Sequence, residues 1–372
     1  MKQKASLKAE IKPFRIAIPQ LDIDDLNRRL AGTRWPDELP GFGFPLSQAR
    51  ELAEYWMTSY DWRIHEARLN ELPQFTTEID GQNIHFIHVR SKRPDALPLL
   101  LVHGWPGSIV EFMGIVEPLR ENFHVVAPSI PGYAFSGPTH EAGWDVKRVA
   151  SAFAELMSRL GYERYGTQGG DWGSAITRQV GLIVPEHVAG SHFSTLSAVP
   201  SGDPEEMKLL TDREKSFLER GQRFQRQGSG YYMIQSSRPQ TLAYGLNDSP
   251  AGLLAWIAEK FTEWTDPASA IDREQLLTNV SVYWFTATAN SSARLYAEFA
   301  RSGGTWGKVE KSSIPAGVAQ FPYEIFPPIR RFAERDNNIV HWTEFEHGGH
   351  FAAMEEPQLL AGDVTKFFGG LR

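Results

Sequence analysis

The stretch Gly169-Gly170-Asp171-Trp172-Gly173 sets a carboxylate between small residues at the spacing glycine, any residue, nucleophile, any residue, glycine. Where such a stretch joins a short strand to a helix it forms a nucleophile elbow, a strained turn in which small residues relieve crowding around a reactive side chain. Enzymes of acyl transfer carry Ser at the centre. A carboxylate needs no partner to remove a proton before it attacks, and its product with an electrophilic carbon is an ester that water can later cleave. A Ser attacking an alkyl carbon would leave an ether, with no easy exit. Asp171 therefore points to displacement at sp3 carbon, chiefly in epoxides or alkyl halides. Taken alone, the stretch also suits a glycine-rich turn whose Asp caps the following helix, so its surroundings must decide.

An ester on Asp171 must be cleaved by water, and the usual activator is a His oriented by a carboxylate. His350 follows Gly348-Gly349 in the loop after the last strand pattern and precedes the final helix. That matches the chain order nucleophile, acid, histidine. His341 lies within the strand and His347 comes too early; as a metal pair, His347 and His350 lack a third ligand at suitable spacing. Glu324 is the candidate orienting acid, because it closely follows the strand ending at Phe321, whereas no acid follows the earlier strand until Asp203. Glu334, Asp336 and Glu346 compete for that role, and most of them read as solvated surface charge. Two backbone N–H groups must face the ester oxygen: that of Trp172, directly after the nucleophile, and that of Trp105 in the loop His103-Gly104-Trp105-Pro106. Gln168 stands where a dinucleotide-binding fingerprint needs glycine, and no phosphate-cradling loop occurs. No cofactor and no metal is expected.

The elbow needs a strand before it and a helix after it. Tyr165 to Gln168 supplies the strand and Ala175 to Val184 the helix. Further strands are predicted at Leu97 to Val102, Phe123 to Ala127, Val188 to Thr195, Ala316 to Phe321 and Asn338 to Phe345. Helical periodicity covers Ile109 to Leu119, Val146 to Leu160 and Pro357 to Phe368. A hairpin turns at Asp80-Gly81. Before it, Phe14, Ile16 and Ile18 alternate as in a strand, Asp22 is placed to cap a helix carrying Leu26 and Leu30 and ending at Gly32, and a proline-rich path leads to a helix from about Ser47 to Ser59. The alternation of strand and helix is interrupted once, for about a hundred residues. This predicts an α/β architecture: a mostly parallel sheet with helices on both faces and a helical cap over the strand ends. The expected divisions are an N-terminal meander over 1–75, core over 76–195, cap over 196–305 and core again over 306–372.

With 372 residues and net charge −7, the chain has the size of one large α/β domain with an insertion and no basic stripe for nucleic acid. It has no cysteine, which excludes disulfides and thiolate chemistry and suits a reducing, cytoplasmic setting. The start, Met1 to Glu10, is charged, with no apolar run after it to act as a signal, and no apolar stretch is long enough to span a membrane. A homodimer is compatible with the sequence but not specified by it.

With Asp171, Glu324, His350 and the His103-Gly104-Trp105-Pro106 loop assembled, the chain resembles the microsomal type of epoxide hydrolase, which includes juvenile-hormone epoxide hydrolases. The resemblance also rests on Thr33-Arg34-Trp35-Pro36, Asn247-Asp248-Ser249-Pro250, Phe321-Pro322-Tyr323-Glu324 and Gly348-Gly349-His350-Phe351, and so runs over nearly the whole chain. It implies the α/β-hydrolase fold, a small-molecule epoxide as substrate, a vicinal diol as product, and a covalent ester on Asp171. It differs from the microsomal members in lacking their membrane anchor. The resemblance also implies two cap tyrosines that protonate the epoxide oxygen, placed at Tyr231 and Tyr296; Tyr232 adjoins the first and leaves that position open by one. A phenol, with its ordinary pKa of about 10, suits a strongly basic alkoxide. The rival readings are a haloalkane dehalogenase with the same Asp nucleophile and a catalytically silent protein holding an apolar ligand under the cap.

Overall fold

Strands buried on both faces must be apolar at every position, and Leu97–Val102 has that character. In the computed structural model, which describes residues 10–269, 271–306 and 310–371, this run is the centre of one sheet. The first nine residues of the charged start lie outside the described residues. The strands are β1 (Lys12–Phe14), β2 (Gln74–Ile79), β3 (Gln82–Val89), β4 (Leu97–Val102), β5 (Phe123–Pro128), β6 (Tyr165–Gly169), β7 (Val188–Phe193), β8 (Ser312–Gln320) and β9 (Asn337–Glu344). Their order in the sheet is β1-β2-β3-β5-β4-β6-β7-β8-β9. From β5 to β9 every neighbouring pair is parallel, while β1, β2 and β3 add an antiparallel edge.

Alternate residues of β4 serve different layers. Leu100 and Val102 pack with Val149 and Phe153 of the helix Val146–Arg159 and with Ile176 and Val180 of the helix Asp171–Ile183. Leu99 and Leu101 pack with Leu119, Val364 and Phe367 on the other face, the last two from the helix Pro357–Gly369. The chain leaves β4 toward β5 on one side and later returns to β6 on the other. Open α/β sheets bind ligands at such a reversal, beyond the carboxyl ends of the strands. Val102 pairs with Gly169 across β4 and β6, so the loop after β4 and the elbow after β6 emerge side by side.

Between β7 and β8 the described residues form seven helices, from Pro204–Lys208 to Ala289–Arg301. Among the described residues no helix is long and apolar enough to cross a membrane.

The N-terminal region differs from expectation in two places. Only Lys12–Phe14 pairs as a strand; Ile16 and Ile18 are extended but find side-chain partners. Asn70 accepts from Ile16 N–H at 2.9 Å and donates to its carbonyl at 2.8 Å, and Glu66 accepts from Ile18 N–H at 2.7 Å. An alternating pattern reports extended chain, not the identity of its hydrogen-bonding partner. Asp22 is not the cap: the helix runs Gln20–Ala31 behind Pro19, and Asp22 lies in its first turn, where a negative charge favours the helix dipole. The predicted helix from Ile109 to Leu119 is split into a 3-10 turn, Ile109–Phe112, and a short helix, Val116–Arg120. Gly114, packed on Pro357, lies at the break.

Candidate active site

Asp171 has a positive φ of 48° and opens the helix Asp171–Ile183 directly behind β6. A non-glycine residue in that region is strained, and the surrounding packing must hold it there. Gly173 makes the turn feasible: a Cβ on it would lie 1.9 Å from the carbonyl oxygen of Val102. The helix thus begins at the nucleophile, four residues ahead of the predicted Ala175. Trp172 N–H belongs to its first turn, where backbone donors lack intrahelical acceptors.

The loop after β4 reaches Asp171 through its backbone. Trp105 N–H donates to Asp171 Oδ1 at 2.8 Å. Gly104 permits this approach, since a Cβ there would lie 2.3 Å from that of Asp171. His103 is a brace rather than a reactant: its Nδ1 bonds the Gly104 carbonyl at 3.0 Å and its Nε2 accepts from Ile130 N–H at 3.2 Å. Burial lowers its pKa to about 4, keeping it neutral.

The loops after β8 and β9 bring in the acid and the histidine. His350 Nδ1 donates to Glu324, 2.9 Å from Oε1 and 3.1 Å from Oε2. Its Nε2 lies 3.6 Å from Asp171 Oδ2. Glu324 is fully buried, which alone would raise its pKa, but the His350 charge and hydrogen bonds from His350, Thr195 and the Phe326 amide outweigh burial and lower it. Burial likewise opposes the charged form of His350, and the charges of Glu324 and Asp171 override it, raising His350 well above its ordinary value. Both shifts describe an imidazolium held between two carboxylates.

The helices between β7 and β8 supply rings and clamps. Tyr231 is stacked on Trp105, with centroids 4.9 Å apart and planes within 7°, and Tyr296 meets the same indole edge-on at 5.9 Å. Tyr296 also stands edge-on to Trp172 at 4.7 Å. Tyr232 meets Tyr296 at 5.4 Å and, among the described residues, no ring of the nucleophile's loops. The structure therefore brings Asp171, Glu324, His350, Tyr231, Tyr296, Trp105 and Trp172 into one cluster.

Several members of the cluster had no sequence signature. Thr195 Oγ1 donates to Glu324 Oε2 at 2.6 Å. Asn279 donates to the Pro106 carbonyl at 2.7 Å and accepts from Ser108 Oγ at 2.8 Å, and Tyr283 OH donates to the Gly107 carbonyl at 2.8 Å. The helix Arg273–Thr286 thereby pins the loop that carries Trp105. Trp264, at the end of the helix Pro250–Trp264, accepts the His350 N–H on its carbonyl at 2.9 Å. Glu111 lines a cavity beside Asp171 and His350; its one sequence signal is an acid flanked by Ile109, Val110 and Phe112. Among the described residues no three His, Cys, Asp or Glu side chains are grouped as a metal would require.

Known proteins show which family shares this fold. Residues 11–112 match the family described as epoxide hydrolase N terminus, and residues 98–232 match the alpha/beta hydrolase fold. Epoxide hydrolase 1 of Sus scrofa is 35% identical over 96% of this chain and 88% of its own. The solved Aspergillus niger epoxide hydrolase superposes with a TM-score of 0.90 at 34% identity, covering 100% of this chain and 99% of that one. Juvenile hormone epoxide hydrolase from Bombyx mori superposes with a TM-score of 0.90 at 32% identity, over 99% and 96% of the two chains. Matched in this way from end to end, and built on the α/β-hydrolase fold, the chain belongs to the epoxide hydrolases.

Proposed function

We propose that the chain adds water to an epoxide to give a vicinal diol in two steps at Asp171. In the first, the Asp171 carboxylate attacks a ring carbon, the ring C–O bond breaks, and Tyr231 or Tyr296 gives its proton to the departing oxygen. A hydroxyalkyl ester and a phenolate result. Burial pushes both phenols well above their ordinary pKa, so each keeps its proton until a more basic alkoxide develops beside it. Tyr231 is favoured over Tyr232 because its ring lies on Trp105, whose N–H touches the nucleophile.

In the second step His350 takes a proton from water, and the water oxygen adds to the ester carbon while the N–H groups of Trp105 and Trp172 stabilise the oxyanion. Collapse breaks the ester C–O bond; the leaving oxygen takes the proton from His350, and the acid left on Asp171 gives its proton to His350, restoring the resting pair. Esterification itself prepares His350 for this role. It removes the Asp171 charge that favours imidazolium, so His350 passes that proton through solvent to the phenolate and is left as a neutral base. On this reading residues 196–305 act as the cap over a core formed by 76–195 and 306–372, with 1–75 bracing both.

The observation that carries the proposal is the convergence on one carboxylate of Trp105 N–H at Oδ1 and His350 at Oδ2, under two buried phenols. The test offers an aryl epoxide and a terminal haloalkane together. Diol without halide is expected, with His350→Gln gaining the mass of one epoxide on the peptide containing Asp171. Full turnover by Asp171→Ala would overturn the mechanism, and halide without diol would assign the chain to dehalogenation.

A further inference from the structure

A cavity of about 20 Å³ lies against the nucleophile and the base, walled by Gly104, Glu111, Gln168, Asp171, Ser194 and His350 among others. A water needs roughly 10–15 Å³ of such space, so the cavity is sized for about one. It borders both groups that a hydrolytic water must meet, the carboxyl to be attacked and the imidazole that takes its proton. Neither Tyr231 nor Tyr296 lines it, which separates it from the face where the epoxide oxygen is protonated. We propose that this cavity holds the water that cleaves the Asp171 ester, and that Glu111 is a further catalytic residue that orients it.

Glu111 sits in the 3-10 turn Ile109–Phe112, between the buried side chains of Val110 and Phe112. Placing an acid in such a turn costs stability unless something there uses it. Among the described residues no ion pair offsets it. Its place is also specifically built: a Cβ on Gly107 would lie 1.5 Å from Glu111 Oε1, so the carboxyl occupies space that only glycine leaves free. Burial raises its pKa to about 8, with His350 and a hydrogen bond from the Gly104 backbone opposing the rise and Asp171 adding to it. As a neutral acid at pH 7 it does not compete with Asp171 for the His350 charge, and its carbonyl oxygen remains an acceptor. In the step itself, one water O–H points to His350 Nε2 and gives up its proton there; the other is held by Glu111, which directs the oxygen lone pair at the ester carbon. Glu111 gains and loses no proton.

The inference rests on the two-step reading, and half-reactions separate the two. With the same aryl epoxide, Glu111→Leu should form ester within about twofold of the wild-type rate and hydrolyse it about 10- to 100-fold more slowly. Then kcat and KM fall together, kcat/KM holds, and ester accumulates in the steady state, visible by intact mass. Glu111→Gln, which keeps a carbonyl acceptor in place, should recover most of the hydrolysis rate. A purely structural role would slow both halves and would not distinguish Gln from Leu in this way. Glu111→Ala makes the same comparison with less bulk if the Leu variant does not fold. Hydrolysis at the wild-type rate in Glu111→Leu or Glu111→Ala, or equal slowing of both halves, overturns the role of Glu111. Wild-type protein that forms neither ester nor diol overturns the two-step reading instead.

Discussion

The hydroxyl of Thr195 donates to Oε2 of Glu324 at 2.6 Å. Thr195 lies just past β7 and Glu324 in the loop after β8, and the parallel pairing of these strands brings the two loops together. A donor at the end of one strand thus steadies the acid carried by the next. Removing it in Thr195→Val should raise the Glu324 pKa, because a hydrogen bond to the charged form is lost. Without that donor the Glu324 charge is less shared and favours the His350 imidazolium more, so the low-pH fall-off of ester hydrolysis, where His350 loses its neutral form, should move up by about one pH unit. An unmoved limb in single-turnover pH profiles would show that Thr195 has no electrostatic role.

Tyr231 and Tyr296 are assigned to the first step only. Tyr231→Phe and Tyr296→Phe should each slow ester formation by roughly tenfold or more, the double variant far more, and hydrolysis of a formed ester should be untouched. This lowers kcat/KM, the opposite signature to that expected for Glu111. Rapid-quench detection of the ester distinguishes them. Tyr232→Phe retaining wild-type ester formation would support the choice of Tyr231, and a loss equal to that of Tyr231→Phe would refute it.

Tyr283 reaches from the helix Arg273–Thr286 to the Gly107 carbonyl at 2.8 Å. Tyr283→Phe leaves that buried carbonyl unpaired, at a cost of about 1–3 kcal/mol, and loosens the loop that presents Trp105 N–H. Denaturant unfolding should show the stability loss and steady-state assays a fall in turnover. If stability falls while turnover is unchanged, the clamp serves the fold alone.

His85 is fully buried between Ser129 Oγ at Nδ1 and Gln74 Oε1 at Nε2, both at 2.9 Å. Burial depresses its pKa to about 3. The unfolded chain binds a proton below about pH 6.5 that the folded chain refuses, so the stability due to His85 is present above that pH and is lost as pH falls toward 3. Between pH 7 and pH 5 this amounts to about 2 kcal/mol. The pH dependence of unfolding should be flatter by that amount in His85→Gln; an identical difference between the two pH values in both proteins would contradict it.

The sequence by itself determined the elbow, since the strand before Gly169–Gly173 and the helix after it are local patterns that the fold shows in place. It also determined the alternation that builds the sheet, because apolar runs such as Leu97–Val102 must be buried on both faces. Spacing along one chain carries this information, for elbows and buried strands are local. The resemblance pointed to Tyr231 and Tyr296 where periodicity could not, as phenols in amphipathic helices look alike whether they pack or react. Only the tertiary structure placed Thr195 on Glu324, Asn279 and Tyr283 on the loop of Trp105, and Glu111 on the cavity shared by Asp171 and His350. These pairs lie far apart in sequence or join different strand ends, and each is held by a hydrogen bond or a steric gap whose geometry exists only after folding. The same reason explains Ile16 and Ile18, where the sequence showed extended chain and folding chose Asn70 and Glu66, rather than a strand, to satisfy it.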